Sequence, residues 1–272
     1  KGEYHLPGVN VLSLGKEEKN FQFSIFNFQK IKYLWRFYKY IWREWKNYDV
    51  VFVHMNQEYV LLGWKSWWLM TKKVYLWRNH AKGNILTRLA VLWSQKVFYT
   101  SPSSFTARFK RAVQMPVGVD TDFFKFGPEL GRGSGSILFL GRIAPVKRVL
   151  EFIDWLYQWV LEEKEFSATI AGVALPKDRG YERGVKIKDS KYGLADKIRF
   201  QGEVTHEEAL ELYHTHEIYV NLTPLGSFDK TIFEAAASGC KIVVANEDLK
   251  KIFEKKSPEE SRRYVVENHS LK

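Results

Sequence analysis

The chain has 272 residues and carries 42 Lys and Arg against 31 Asp and Glu, a formal charge of +11. With 45% hydrophobic and 27% charged residues it has the composition of a globular protein, and its length suits about two domains. No apolar run reaches the ~18 residues of a spanning helix, and a single cysteine, Cys240, leaves no intramolecular disulfide and no multi-cysteine zinc site.

The N-terminus shows no signal-peptide pattern. Lys1 is not an initiator Met, so a chain that begins inside a longer protein is one expectation. The positive charge suits phosphorylated substrates, anionic lipid or nucleic acid, or simply a soluble basic surface. Aromatic residues are abundant, with 10 Trp, 14 Tyr and 19 Phe, and most of the tryptophans lie before Trp93.

In chain order, the first candidate element is a helix from Phe28 to Trp45. Ile31, Leu34, Trp35, Tyr38, Ile41, Trp42 and Trp45 share one face, and Lys32, Arg36, Lys39, Arg43 and Lys46 form a stripe on another. Two readings are open: a helix that covers the sheet of the first domain, or one that lies on an anionic membrane surface. The Trp64 to Trp68 cluster adds to the second. Strands are expected at Val50 to Val53, Val74 to Trp77 and Lys96 to Tyr99, with helical stretches between them.

Between residues 127 and 135 stand four glycines and a proline, which favours a linker. The expected organisation is an N-terminal Rossmann-like domain, 1–126, a Gly-rich linker, 127–135, and a C-terminal Rossmann-like domain, 136–272. In the C-terminal part, strands are expected at Ser136 to Leu140, Ala168 to Ala171, Ile198 to Phe200, Glu217 to Asn221 and Lys241 to Ala245. Helices are expected from Val149, from a capping box at Thr205 and Glu208, and over Thr231 to Ser238. Continuous apolar strands alternating with helices indicate a parallel sheet buried on both faces.

Two motifs carry chemistry. From Leu140 to Arg148 (LGRIAPVKR) a strand runs into a tight turn at Gly141, and Arg142 and Lys147 flank the entry to a helix. A helix N-terminus offers amides to an anion. Arg adds a fork and Lys a point charge, which suit a departing diphosphate; a solvated basic helix start is the competing reading. From Asn221 to Gly239 a strand enters a loop with Gly226, Ser227, Phe228, Asp229 and Lys230, followed by a helix that holds Glu234. That carboxylate suits a ribose diol, and the loop amides suit phosphate or sugar oxygens. A capping or ion-paired glutamate is the plainer alternative.

Taken together, Gly141-Arg142, Lys147, Gly202 to Val204, Glu234 to Gly239 and Val243 to Ala245 resemble, in order and spacing, the family 4 glycosyltransferases (glycosyl transferases group 1). In the first half, the strand from Asp49 to His54, Trp77 to His80, Thr100 to Ser104 and Val117 to Asp120 resemble that family's acceptor domain less strongly.

The resemblance implies an α/β, GT-B fold of two Rossmann-like doubly wound domains facing each other across a cleft. It implies a retaining, metal-independent, hexosyltransferase-like enzyme with no cofactor, moving a sugar from a nucleotide diphosphate sugar to a glycan or lipid-linked acceptor. It places Arg142 and Lys147 on the diphosphate, Glu234 on the ribose, the backbone near Val204 on the base, and His80 beside the transferred sugar. His80 and His54 also read as structural histidines at strand ends. The expected setting is the cytoplasm, with a possible peripheral site at the inner face of the membrane and no nucleic-acid partner.

The departures are equally specific. Gly226 stands where the family has the first glutamate of its Glu-x7-Glu block, and Asp229 is the nearest replacement. Val117 replaces the usual Asn. Cys240 replaces a common Pro and reads as a small core residue. The family's first strand, its glycine-rich loop and its C-terminal crossing helices have no clear counterpart, so a chain truncated at one or both ends is expected. A non-catalytic sugar-nucleotide or glycan-binding protein on the same fold is the alternative function.

Overall fold

A computed structural model describes residues 8–12, 14, 28–127, 132–226 and 228–271. Contacts divide the chain into two units. The first is Lys1–Arg78, Gly83–Phe98 and Lys110–Val113; the second is Asn79–Lys82, Tyr99–Phe109 and Gln114–Lys272.

In the first unit a helix, α1 (Phe28–Arg43), precedes β1 (Val50–His54), α2 (Gln57–Leu69), β2 (Lys73–Trp77), α3 (Ile85–Leu92), β3 (Lys96–Tyr99) and β4 (Ala112–Gln114). The sheet order is β1-β2-β3-β4, and β1, β2 and β3 pair in parallel. The three apolar runs expected as strands are these three. Val53, Val74, Leu76 and Val97 point to the buried face. Asn84 and Thr87 form a reciprocal capping box that starts α3.

α1 packs on α2. Phe37 lies 5.6 Å from Tyr59 and 6.1 Å from Trp67, and the Tyr38 hydroxyl donates to the Leu62 carbonyl at 2.9 Å. It does not spend its whole aromatic face on this packing. Phe37 and Ile41 are buried, whereas Ile31, Trp35, Tyr38, Trp42 and Trp45 are exposed. The apolar arc is wider than one helix–helix contact covers, so it splits.

The second unit holds β5 (Gly133–Leu140), α4 (Val149–Leu161), β6 (Ser167–Ala171), α5 (Arg179–Lys191), β7 (Ile198–Gly202), α6 (His206–Thr215), β8 (His216–Asn221), α7 (Lys230–Ala237), β9 (Lys241–Val244), α8 (Glu247–Phe253) and α9 (Pro258–His269). Its sheet has the order β7-β6-β5-β8-β9, with all pairs parallel. Successive residues of β5, β8 and β9 serve two cores. Ile137, Phe139, Ile218 and Val220 pack with α4 and α5. Leu138, Tyr219, Ile242 and Val244 pack with α6, α7, α8 and α9. This is the two-sided burial that the continuous apolar strands predict.

Two boundaries differ from those read in the sequence. β5 opens at Gly133, inside the segment expected to be linker. Residues 114–126, expected with the N-terminal domain, belong to the second unit. They are held there by a Val119–Ser270 bridge, by the Val117 amide donating to His269 Nδ1 at 2.9 Å, and by Phe124 against Tyr213 at 5.9 Å.

Candidate functional site

The sheet order fixes where a ligand can be held. β5 has β6 on one side and β8 on the other, and the helices change face there. In an open parallel sheet the crevice lies at the carboxyl ends of the strands flanking that switch point. Here it is formed by the chain leaving β5 at Gly141 and the chain leaving β8 at Asn221.

The first of these is not a direct helix entry. A 3-10 turn, Pro145–Lys147, and Arg148 in a left-handed conformation (φ 55°) intervene before α4 starts at Val149. Arg142 and Lys147 therefore sit on an extended turn rather than at the first turn of a helix. Arg142 is exposed. Its neighbour Gly141 lies so close to Gly172 that a Cβ on Gly172 (φ 135°) would come within 2.8 Å of the Gly141 carbonyl carbon. Bare backbone at Gly172 lets the ends of β5 and β6 approach, whereas a Cβ on Gly141 would meet nothing within 4 Å.

Lys147 is fixed from the other side of the crevice. Its Nζ donates to Asp229 Oδ2 at 2.5 Å, and both side chains are about four-fifths buried, with 19% and 18% exposed. The same oxygen accepts from Asn221 Nδ2 at 3.0 Å and Thr223 Oγ1 at 2.8 Å. Burial pushes the Asp229 carboxyl up. The Lys147 charge and these hydrogen bonds outweigh it and hold the group below the usual carboxylate range. Asp229 occupies the N-cap of α7 yet makes no side-chain cap bond. Its carboxylate is committed to Lys147, so it does not cap the amides of the first turn.

Tyr219, on the same face of β8, is buried. Its hydroxyl lies 3.2 Å from the Leu140 carbonyl and 2.8 Å from Thr231 Oγ1, tying the end of β5 to the start of α7. Tyr219, Asn221 and Thr223 escape a motif search. Their signal is alternation: polar groups at every second position where an apolar strand ends.

Glu234 lies on α7 with only 5% of its side chain exposed. Oε2 accepts from the Tyr213 hydroxyl at 3.4 Å, and Lys230 Nζ lies 3.6 Å from Oε1. Burial raises its carboxyl above the usual range, and Lys230 offsets part of that. Phe228 packs on Phe233 at 5.8 Å. Val204 follows β7 and packs at the rim of the core formed by Tyr213, Tyr219 and Phe233. Ser227 lies outside the described residues.

Gly226 is enclosed. Its φ is 102°, and a Cβ there would lie 2.6 Å from the Ala81 Cα and N and closer still to the Ala81 Cβ. A glutamate does not fit at this position, which accounts for the departure noted in the sequence. Ala81 follows His80, whose side is exposed and whose carbonyl accepts from the Phe105 amide at 2.8 Å. Asn79 organises this segment. Its Nδ2 donates to Thr100 Oγ1 at 2.5 Å, and its Oδ1 accepts from the amides of Thr100 and Ser101. The turn bearing His80 thus lies against the loop of Gly226.

A cavity of about 560 Å³ opens beyond Phe228, lined among others by Asp248, Lys251, Ile252, Tyr264 and His269. Of the site residues above it shares Phe228 and Thr100, and none of Arg142, Lys147, Asp229 and Glu234 lines it. Lys147 and Asp229, one from each motif, meet in the crevice, where the strand topology offers a candidate site. Among the described residues no group of three or more His, Cys, Asp and Glu is placed to hold a metal ion.

Residues 134–270 match the family described as Glycosyl transferases group 1. No curated protein matches the sequence. Among solved structures, HepE from Anabaena in complex with UDP superposes with a TM-score of 0.71 at 15% identity, covering 86% of this chain and 78% of that one. Sucrose-phosphate synthase from Thermosynechococcus elongatus gives 0.71 at 14%, covering 89% and 74%. A glycosyltransferase from Rickettsia africae gives 0.69 at 17%, covering 96% and 80%. At these identities the likeness is one of fold.

Proposed function

The chain belongs to the group 1 glycosyl transferases and has the α/β fold of its GT-B neighbours, and from that premise we propose that the crevice at the ends of β5 and β8 binds the diphosphate of a nucleotide sugar. The observation that carries this reading is the Lys147–Asp229 pair beside an N-terminus of α7 that Asp229 does not cap. Arg142 and the α7 amides receive phosphate oxygens, and Lys147 is held at a fixed point by Asp229, which Asn221 and Thr223 anchor in turn. A fixed cation beside oriented amides stabilises charge that develops as a bond breaks.

In the transfer step the acceptor hydroxyl forms the new bond at the anomeric carbon. The bond to the diphosphate breaks, its electron pair leaves with the diphosphate, and the hydroxyl proton passes to an oxygen of the departing diphosphate. Glu234 takes the ribose hydroxyls once Lys230, 47% exposed, swings aside. The backbone at Val204 meets the base. His80 faces the sugar, and the support for this is the position of Ala81 against Gly226. Gly226 and Phe228 shape the floor of that pocket. Within the family the reading is a retaining, metal-independent, family 4 hexosyltransferase that needs no cofactor. Its donor base is uracil, as in the UDP complexes of HepE. Its acceptor is a glycan or lipid-linked hydroxyl, met in the cytoplasm at the inner face of a membrane.

The enclosure of Gly226 supports a second reading, a donor-binding protein without transfer, because it removes one carboxylate from the sugar site. Release of UDP from UDP-sugars, followed in the presence and absence of candidate acceptors, separates the two. Transfer predicts acceptor-stimulated release that Arg142→Ala abolishes. Saturable donor binding with no release under any condition overturns it in favour of the second.

A further inference from the structure

We propose that the outward face of α1 is a docking surface for an anionic lipid bilayer. The inward half of the helix is already used, with Phe37 and Ile41 buried against α2. Beside them on the helix, Ile31, Trp35, Tyr38 and Trp42 recur at intervals of four and three residues, the spacing of a single helical stripe that Trp45 extends just past the helix end and that Tyr38 edges onto α2 through Leu62. Trp35 is 62% exposed, Ile31 58% and Trp42 51%. α2 ends in the same manner, on Trp68 and Leu69, which are 72% and 65% exposed. A soluble protein rarely leaves so many large apolar side chains together in water.

Charge identifies the occupant. From Phe28 to Arg43 there are five cations and no Asp or Glu. Lys39 Nζ lies 4.9 Å over the Trp35 ring, and beyond the helix Lys46 Nζ lies 5.4 Å over Trp45. The cations therefore border the apolar stripe rather than interrupt it. Glu44, the first acidic residue after Phe28, is partly buried and engaged with Arg43 and Asn47. Indole rings settle at headgroup depth, and Lys side chains beside them reach lipid phosphates, so the two sets of groups act in the same plane.

A second copy of the chain is a poor occupant, because a two-fold contact would set this cationic helix against itself. Single-stranded nucleic acid is also a poor one. It favours cations along a groove with aromatics set among them, whereas here the apolar residues form a stripe of their own and Lys32, Arg36, Lys39 and Arg43 run along one side of it. No helix among the described residues is long and apolar enough to cross a membrane, so the contact is parallel to the surface.

The surface agrees with a lipid-linked acceptor and rests on the reading above only for that choice; vesicle binding requires no transfer, so either can fail alone. The test is sedimentation of the whole chain with vesicles of equimolar phosphatidylglycerol and phosphatidylcholine, and with phosphatidylcholine alone. Binding to the first and not the second is expected. Trp35→Ser with Trp42→Ser, and separately Lys32→Glu with Lys39→Glu, lower it at least about tenfold and leave the circular dichroism and UDP binding of the chain unchanged. No binding to anionic vesicles, or binding that both double variants retain, overturns the proposal. So does finding that the Trp variant abolishes self-association or polynucleotide binding in a chain that ignores vesicles.

Discussion

Restoring the family's glutamate by Gly226→Glu damages this protein instead of improving it. The position has φ 102°, and an added Cβ meets the backbone of Ala81 at 2.6 Å. A non-glycine residue in such a conformation costs about 1–3 kcal/mol, and the overpacking adds about 1–3 kcal/mol. The obstacle is backbone, not the end of a flexible side chain, so relief requires the 79–82 turn to move. That turn is fastened by the three hydrogen bonds of Asn79. The sum, about 4 kcal/mol, corresponds to a fall in melting temperature on the order of 10 °C for the second unit. Differential scanning calorimetry measures it. Gly226→Ala serves as control, since it carries the Cβ without the charge and loses most of the same stability. Ala81→Gly recovers only part, because the Cα and N of residue 81 remain. A Gly226→Glu protein that melts with its parent and gains transfer activity refutes the reasoning.

Asp229→Asn leaves the Lys147 ammonium without its partner and lowers stability by about 2–3 kcal/mol, less than a fully buried pair because some solvent reaches both groups. Urea denaturation reads this directly. Because the folded Asp229 carboxyl is held below its unfolded value, its contribution is present above the ordinary carboxylate range and is lost as pH falls through the folded value. The Asn variant should lack that part of the acid destabilisation. Glu234 behaves in the opposite sense. Its folded carboxyl is raised by burial, so donor binding through its ionised form weakens on acidification already above the ordinary glutamate range, and Glu234→Gln removes this dependence. A pH series of UDP titrations distinguishes the two outcomes. Burial pushes the Cys240 thiol up to about 12, and its Sγ donates to the Tyr213 carbonyl at 3.1 Å, so a thiol reagent reacts only with the unfolded chain. Labelling of the native protein at the unfolded rate would contradict its placement in the core.

The parts of the fold that could be read in advance have local causes. β5, β8 and β9 are continuous apolar runs because both faces of the sheet are covered. α6 begins where Thr205 and Glu208 satisfy each other's backbone partners, with the Thr205 amide 2.7 Å from the Glu208 carboxylate. α9 carries the same signal in Ser257, Pro258 and Glu260, and it was legible though unassigned. α5 was not. Gly180 and Gly184 interrupt a largely polar sequence, and only Val185 and Asp189 are buried on it. In the site, the Gly-Arg turn and Glu234 follow from spacing. The pairing of Lys147 with Asp229 joins residues 82 apart, and the closeness of Ala81 to Gly226 is a property of the folded turn, so neither leaves a local trace. For α1 the helical spacing showed an apolar arc but not which half of it the protein would bury.

The proposed donor site binds a nucleoside diphosphate at the carboxyl ends of β5 and β8. Calorimetric titration of the intact chain with UDP, UDP-sugars and the other nucleoside diphosphates tests it most directly. UDP is expected to bind saturably, and Arg142→Ala and Glu234→Ala each to weaken that binding at least about tenfold, the loss of one charge-assisted contact. Binding that both variants leave unchanged, or none by a folded sample to any of these ligands, would contradict it.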